Sequence, residues 1–407
     1  MVNLGKASRM KKILVVANDF PYPPAHGAAV DMWNRIRILV EMGYRVDLLA
    51  SVKETPAQES IDEVKRYVGN LWIVSRSQSL GSFLSWIPFQ VRSRAALAKI
   101  KLDGDFDAVI LEADYVAEVL KNPGVRGSKL ILRIHNEQVL YFRELAQGSK
   151  NWLRKAYFLS ESFKFRLFSP VVLRKCNLLW FISDSERAEH VRKKREDESK
   201  SYFLPTHVSP ENLRPFVSGE PTALFIGSLT ISHNTDSVVW YLENVHSRLL
   251  DIEGYSFQVA GRTAGQSITW LKEMVQRNRK AALEADPAVL DDLYRKASVF
   301  VNPVIVGAGI KIKVVQALEA GVPVVSTTMG IEGTGFKDGV HVLVADTPAA
   351  FTECVRRILT EKGLGEFLVG NAQSYLRDRY DMKVNMDRTL SQLLAANEEV
   401  KVVRDAR

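Results

Sequence analysis

Short apolar runs alternate with amphipathic stretches along the whole chain, and they do so in two separate series. In the first, Ile13 to Ala17, Val46 to Ala50, Leu71 to Val74, Ala108 to Leu111, Leu130 to Ile134 and Leu178 to Ile182 read as strands. In the second, Ala223 to Ile226, Phe257 to Ala260, Val299 to Val301, Val322 to Val325 and Val342 to Val344 do the same. A continuous apolar run has no polar side, which suits a parallel strand covered on both faces. Between the runs lie helical patterns such as Val30 to Met42, where Met32, Ile36, Leu39 and Val40 share one face. The series are separated by PTHVSPENLRPFVSGEP at 205–221, rich in Pro and Ser and without periodicity. The expected fold is therefore α/β, with two Rossmann-like domains of mostly parallel sheets facing across a cleft. Residues 1–207 form the first domain and 208–379 the second, with a C-terminal helix at about 380–398 packing back on the first.

Composition agrees with this and narrows the setting. A length of 407 residues suits two domains, and 46% hydrophobic with 25% charged residues is ordinary for a globular protein. Cys176 and Cys354 lie far apart in apolar surroundings, so neither a disulfide framework nor a metal cluster is expected and the cytoplasm is the natural compartment. The first apolar run is broken by Asn18 and Asp19, as in a core strand and unlike a secretory leader. No apolar run reaches the roughly 18 residues that span a bilayer.

The net charge of +8 is unevenly placed. Residues 1–204 hold 33 Lys+Arg against 23 Asp+Glu, a balance of +10, and the remainder holds 22 against 24, a balance of −2. The asymmetry favours an anionic surface or partner for the first half, such as membrane phospholipid at the inner face, a phosphorylated acceptor or nucleic acid; solubility alone accounts for the same charge. Two segments strengthen the membrane reading, Phe83 to Gln90 with Arg92 and Arg94 behind it, and Trp152 to Phe168 with Arg154, Lys155, Lys164 and Arg166. A buried aromatic face with snorkelling cations accounts for the same pattern. Nucleic acid is not expected, since no recognition motif accompanies the charge.

One segment carries chemistry most plainly, GAGIKIKVVQALEAGVPVVST from Gly307 to Thr327. Gly307 and Gly309 allow close backbone approach, and a helix opening there aims unpaired N–H groups and its positive dipole end at an anion. Lys311 and Lys313 add charge, Gly321 stops the helix, and Val322 to Ser326 read as a buried strand. An ordinary helix–strand corner with two solvated lysines is the competing reading.

Taken together, the segments resemble the GT-B glycosyltransferases of the group 1, family 4 type, which retain anomeric configuration. FPYPPAHGAAVDMWNRIRILVEMGYRVDLL is similar to that family's opening strand, glycine loop and first helix; LRIHNEQ to its mid-domain turn; LFIGSLTISHN and FQVAGR to the start of its donor domain. GAGIKIKVVQALEAGVPVVSTTMGIEG is similar to its donor-binding signature. The resemblance implies a nucleotide sugar, a UDP-, GDP- or dTDP-hexose, as co-substrate in the second domain and no other cofactor. It implies a glycan or lipid-linked acceptor on the first domain and transfer of a hexose to a hydroxyl without a metal. Lys311, Lys313, Gly307, Gly309 and Arg262 would then neutralise the departing diphosphate, which gains negative charge as it leaves. Gly27 would offer a backbone N–H, His135 would contact the transferred sugar, Glu137 would serve the acceptor, and Glu332 would order the phosphate loop.

The signature departs from the family in one respect. Two glutamates eight positions apart are replaced here by Ala308 and Gln316. A glycine-rich turn with two cations stands in for the first in a related branch. Gln316 can hydrogen-bond ribose hydroxyls, more weakly than an ionised acceptor, and Glu319 lies one helical turn on. The substitutions keep two alternatives open: a catalytically silent GT-B binding protein, and a nucleotide-sugar epimerase, which would want further acid/base carboxylates.

Overall fold

The computed structural model describes residues 9–24, 27–77, 85–149, 151–263, 265–306 and 309–405, with side chains to residue 395. Gly307 and Ala308 lie outside the described residues, as do Phe83 and Leu84. The chain forms two compact units. One comprises residues 1–182, 187–204 and 382–407; the other comprises 183–186 and 205–381.

The N-terminal unit is built on seven parallel strands: β1 (Lys12–Ala17), β2 (Arg45–Val52), β3 (Leu71–Ser75), β4 (Ala108–Glu112), β5 (Lys129–Ile134), β6 (Leu178–Phe181) and β7 (Ser201–Phe203). Their order is β3-β2-β1-β4-β5-β6-β7, so the sheet reverses direction of growth between β1 and β4. The interiors of β1, β2 and β4 are fully buried, as their apolar runs require; Ile13, Val15, Leu48 and Ile110 face one core and Leu14, Val16, Leu49 and Val109 the other. The first core is completed by Met382, Met386, Leu390 and Leu394 of the C-terminal helix Met382–Asp405. Trp180 Nε1 donates to Thr389 Oγ1 at 3.1 Å and fastens that helix to β6.

The C-terminal unit carries six parallel strands: β8 (Thr222–Ile226), β9 (Ser256–Gly261), β10 (Ala281–Ala285), β11 (Val299–Asn302), β12 (Val324–Ser326) and β13 (Leu343–Val344). Their order, β10-β9-β8-β11-β12-β13, places the reversal between β8 and β11. In open sheets of this kind, ligands bind beyond the carboxyl ends of the strands flanking that reversal.

Two strands were not anticipated, β7 and β10. Both are edge strands. Ala281–Ala285 leaves one face to solvent and alternates between half-buried and exposed residues, and Ser201–Phe203 is only three residues long, so neither shows the continuous apolar run that marks a strand covered on both faces. The expected strand from Val322 begins two residues later, because Val322 N closes the preceding helix on Ala317 O at 2.9 Å. Gly321 ends that helix as expected, with φ +83°, and a Cβ there would lie 2.5 Å from Arg214 O.

Candidate active site

In the C-terminal unit the loops after β8 and β11 meet at the sheet's reversal point. The loop after β11 is anchored from below: Asn302 Nδ2 donates to Ser326 Oγ and to Gly330 O, each at 3.0 Å, and Thr327 Oγ1 donates to Val304 O. Gly309 then adopts φ +78°, a conformation that favours glycine, and the helix Ile312–Glu319 opens with no side-chain cap on its first amides.

The two lysines sit differently. Lys311 is buried, its Nζ donating to Gly309 O at 2.6 Å, which stiffens the turn. Lys313 is half-buried; its Nζ donates to Asn234 Oδ1 at 3.0 Å and lies 4.4 Å from the centre of the Phe225 ring. Among the described residues no carboxylate comes within ion-pair distance of Lys313. Burial, with the neighbouring charge of Lys311, brings its ammonium down to about 7. Lys313 thus holds its proton less tightly than a solvated lysine, and an anion beside it would favour the charged form.

Asn234 and His233 open the helix Ser232–Asn244 after β8, and sequence reasoning missed both as site residues. Asn234 Nδ2 donates to Ser228 O at 2.9 Å, so its oxygen is turned toward Lys313. Burial, with Lys313 and Lys311, pushes the His233 imidazole down to about 4. The signal was the SHN triplet of LFIGSLTISHN, which could not be linked to a lysine some eighty positions away.

The remaining expected donor residues lie around this centre. Arg262 follows β9 and is exposed; its carbonyl accepts from Leu229 N at 2.9 Å, joining the β8 and β9 loops. Glu332 is exposed and ends the short turn Met329–Ile331. Gln316 is half-buried, and among the described residues its amide has no protein hydrogen-bond partner. Glu319 does not stand in for it. It sits at the far end of the helix from Lys311, accepts from Ser209 N at 3.4 Å, and burial raises its carboxyl to about 7.

In the N-terminal unit, Gly27 is the first residue of the helix Gly27–Glu41 and is half-buried. Glu137 is exposed, at the start of the helix Gln138–Gly148, with no side-chain capping bond. His135 lies just beyond β5 against a buried network that sequence reasoning also missed. Arg35 Nε donates to Glu112 Oε1 at 3.0 Å, its Nη2 to Glu112 Oε2 at 2.6 Å, and its Nη1 to Asp31 Oδ2 at 2.8 Å. Arg133 Nε and Nη2 donate to both oxygens of Asp31, at 3.0 and 2.9 Å. All four side chains are essentially inaccessible. Burial alone would raise Asp31, but Arg133 and Arg35 outweigh it and hold the carboxyl at about 2; Arg35 likewise lowers Glu112. His135 Nε2 lies 3.2 Å from Glu112 Oε2 and donates to that ionised carboxylate. Its Nδ1, 3.8 Å from Asp31 Oδ2, is beyond a hydrogen bond.

Among the described residues no cluster of three or more His, Cys, Asp or Glu is arranged to hold a metal, and no helix is long and apolar enough to cross a membrane. Cys176 and Cys354 are free thiols.

Residues 220–361, most of the C-terminal unit, match the family model described as Glycosyl transferases group 1. The paired sheets define the class: the chain has the GT-B fold of two Rossmann-like domains, and residues 220–361 of its C-terminal unit are similar to group 1 glycosyl transferases. Over 386 residues the chain is 28% identical to a Klebsiella pneumoniae protein described as an uncharacterized 44.6 kDa protein in the cps region, covering 92% of this chain and 97% of that one. A mutant of S. aureus TarM crystallised with Fondaparinux, alpha-GlcNAc-glycerol and UDP superposes with TM-score 0.70 at 10% identity, over 95% of this chain and 100% of that one. Anabaena HepE in complex with UDP and glucose gives 0.64 at 11% identity, over 95% and 99%. WaaG, a glycosyltransferase involved in lipopolysaccharide biosynthesis, gives 0.59 at 14% identity, over 94% and 99%.

Proposed function

We propose that this protein transfers a hexose from a nucleotide-sugar donor, bound by the C-terminal unit, to a hydroxyl of a glycan or lipid-linked acceptor bound by the N-terminal unit. The observation that carries the reading is Lys313, a half-buried ammonium held by Asn234 beside uncapped helix amides and a glycine turn. Such a constellation is complementary to the charge that develops on a departing diphosphate, and is stronger there than in the resting state. Gly309, Lys311 and Arg262 complete the donor site in this reading, with Gly307 among the donor-binding residues, Gln316 on the ribose and Glu332 ordering the loop. Gly27 and His135 meet the transferred sugar and Glu137 serves the acceptor. Charge neutralisation by lysines does the work a divalent cation would otherwise do, and a donor phosphate oxygen takes the acceptor proton, so configuration is retained. The epimerase and silent-protein alternatives lack an observation of this kind. Incubation with a panel of UDP-, GDP- and dTDP-hexoses tests the reading: release of one nucleoside diphosphate, undiminished by EDTA, is expected, and no release from any donor would reject it.

The work is expected at the inner face of the membrane. Leu159, Phe163, Leu167 and Val171 recur every fourth residue on the exposed side of the helix Trp152–Lys175, which also displays Trp152, Arg154, Lys155, Arg166 and Arg174. Trp86, three residues before Phe89, whose N–H donates to Glu161 of this helix at 2.8 Å, is 82% exposed. Apolar side chains interleaved with cations match an anionic headgroup layer. Flotation should carry the protein up with vesicles containing anionic lipid and leave it behind with neutral ones; equal behaviour would reject electrostatic docking.

A further inference from the structure

The N-terminal unit contains a cavity of about 280 Å³, lined by none of the donor-, sugar- or acceptor-site residues named above. It opens beyond the carboxyl ends of the sheet strands. Asn18 and Asp19 follow β1, Arg76 follows β3 and Tyr115 follows β4, while Tyr141 and Tyr157 come from the two succeeding helices. That is the edge at which open α/β sheets take ligands, and the volume is near the lower end of small-molecule sites, about 300 Å³.

Its floor holds a buried cation that lacks a carboxylate of its own. Arg94 is 2% exposed. Its Nη1 donates to Gln90 O and its Nη2 to Asn18 O at 3.0 Å, both neutral carbonyls, and its guanidinium lies 5.5 Å from the centre of the Tyr115 ring. Its Nε is buried with no hydrogen-bond partner. Among the described residues no acid lies within ion-pair distance of it. The neighbouring Arg76 donates to Asn18 O and Ser51 O and pairs with Asp19 at 3.3 Å. Two guanidiniums against one carboxylate leave the lining with one excess positive charge. Burial and Arg76 together bring Arg94 down to about 9, the mark of a cation whose surroundings fail to compensate it.

A forked guanidinium whose hydrogen bonds go to neutral carbonyls and not to a carboxylate matches the flat, two-oxygen edge of a carboxylate or phosphate. The rings of Tyr115, Tyr141 and Tyr157 supply the apolar walls that a small ligand's carbon face packs against. We propose that this cavity binds an anionic monosaccharide unit of the acceptor, its carboxylate or phosphate on Arg94 and its ring against the tyrosines. The proposal rests on the transferase reading for the word acceptor; the binding itself is independent of it.

The test titrates glucuronate, glucose 6-phosphate and glucose into the full-length protein without nucleotide, read by ligand-observed NMR. The anionic sugars should bind at least about tenfold more tightly than glucose, and the tighter of the two distinguishes carboxylate from phosphate. Arg94→Gln should abolish that preference. Leu145→Trp, which fills the cavity and leaves both arginines in place, should abolish binding of all three and serves should the first variant misfold. Equal binding of the three sugars, or anionic binding unchanged by Leu145→Trp, overturns the proposal. Nucleoside diphosphates titrated into the same samples separate the two ideas. Sugar binding without nucleotide binding removes the transferase reading and leaves the cavity; the reverse removes the cavity alone.

Discussion

Lys313→Met should lower turnover about 100- to 1,000-fold while making the unliganded protein more stable. The first effect follows from removing one preorganised charge at a departing diphosphate, a loss of about 3 to 4 kcal/mol from the transition state. The second follows from the sign of its titration. Burial holds the folded-state value at about 7, below the roughly 10.4 of an unfolded lysine. The unfolded chain therefore binds the extra proton throughout that window, and stability falls as pH drops from about 10 towards 7. Replacing the ammonium with an apolar side chain of similar length removes this penalty, so at pH 7.5 the variant should melt higher, by about 1–2 kcal/mol. A surface lysine would show neither effect, and a structural one would show lost stability. The same titration makes nucleotide affinity fall as pH rises through 7, because binding must then recruit a proton.

Arg35→Met should cost about 3–5 kcal/mol of folding stability, measured by denaturant unfolding, since it strands Glu112 and half of Asp31 without compensation in a dry interior. Arg66→Ala, at an ion pair whose arginine is 74% exposed, should change stability by less than about 1 kcal/mol and serves as the control. Acid sensitivity has a defined window. Asp31 is held at about 2 against an unfolded value near 3.9, so its contribution is complete above about pH 4 and is lost as pH falls from there towards 2. If Arg35→Met unfolds at the same denaturant concentration as the parent, the network is not a stability element.

The inner strands were legible because each is written in contiguous residues, the apolar runs of β1, β4, β8 and β11. What was not legible is what depends on residues brought together from afar. Lys313 owes its poise to Phe225 and Asn234, and His135 owes its orientation to Glu112 and Asp31. Traces were present. Asp31 and Arg35, four apart on the apolar face of one helix, and the charged residues in VILE and ILRI, interrupt patterns that should have been uniform. A charge inside an apolar run announces a buried partner but does not name it. Arg94 is the same case, read from sequence as a cation beside a membrane segment and found instead on the floor of a cavity.

Calorimetric titration of UDP, GDP and dTDP into the full-length protein bears most directly on the claim that the C-terminal unit holds a nucleoside diphosphate. One of the three should bind with a dissociation constant in the micromolar range, with proton uptake above pH 7 and with affinity largely lost in Lys313→Met. Absence of binding by all three, or binding indifferent to Lys313, would contradict it.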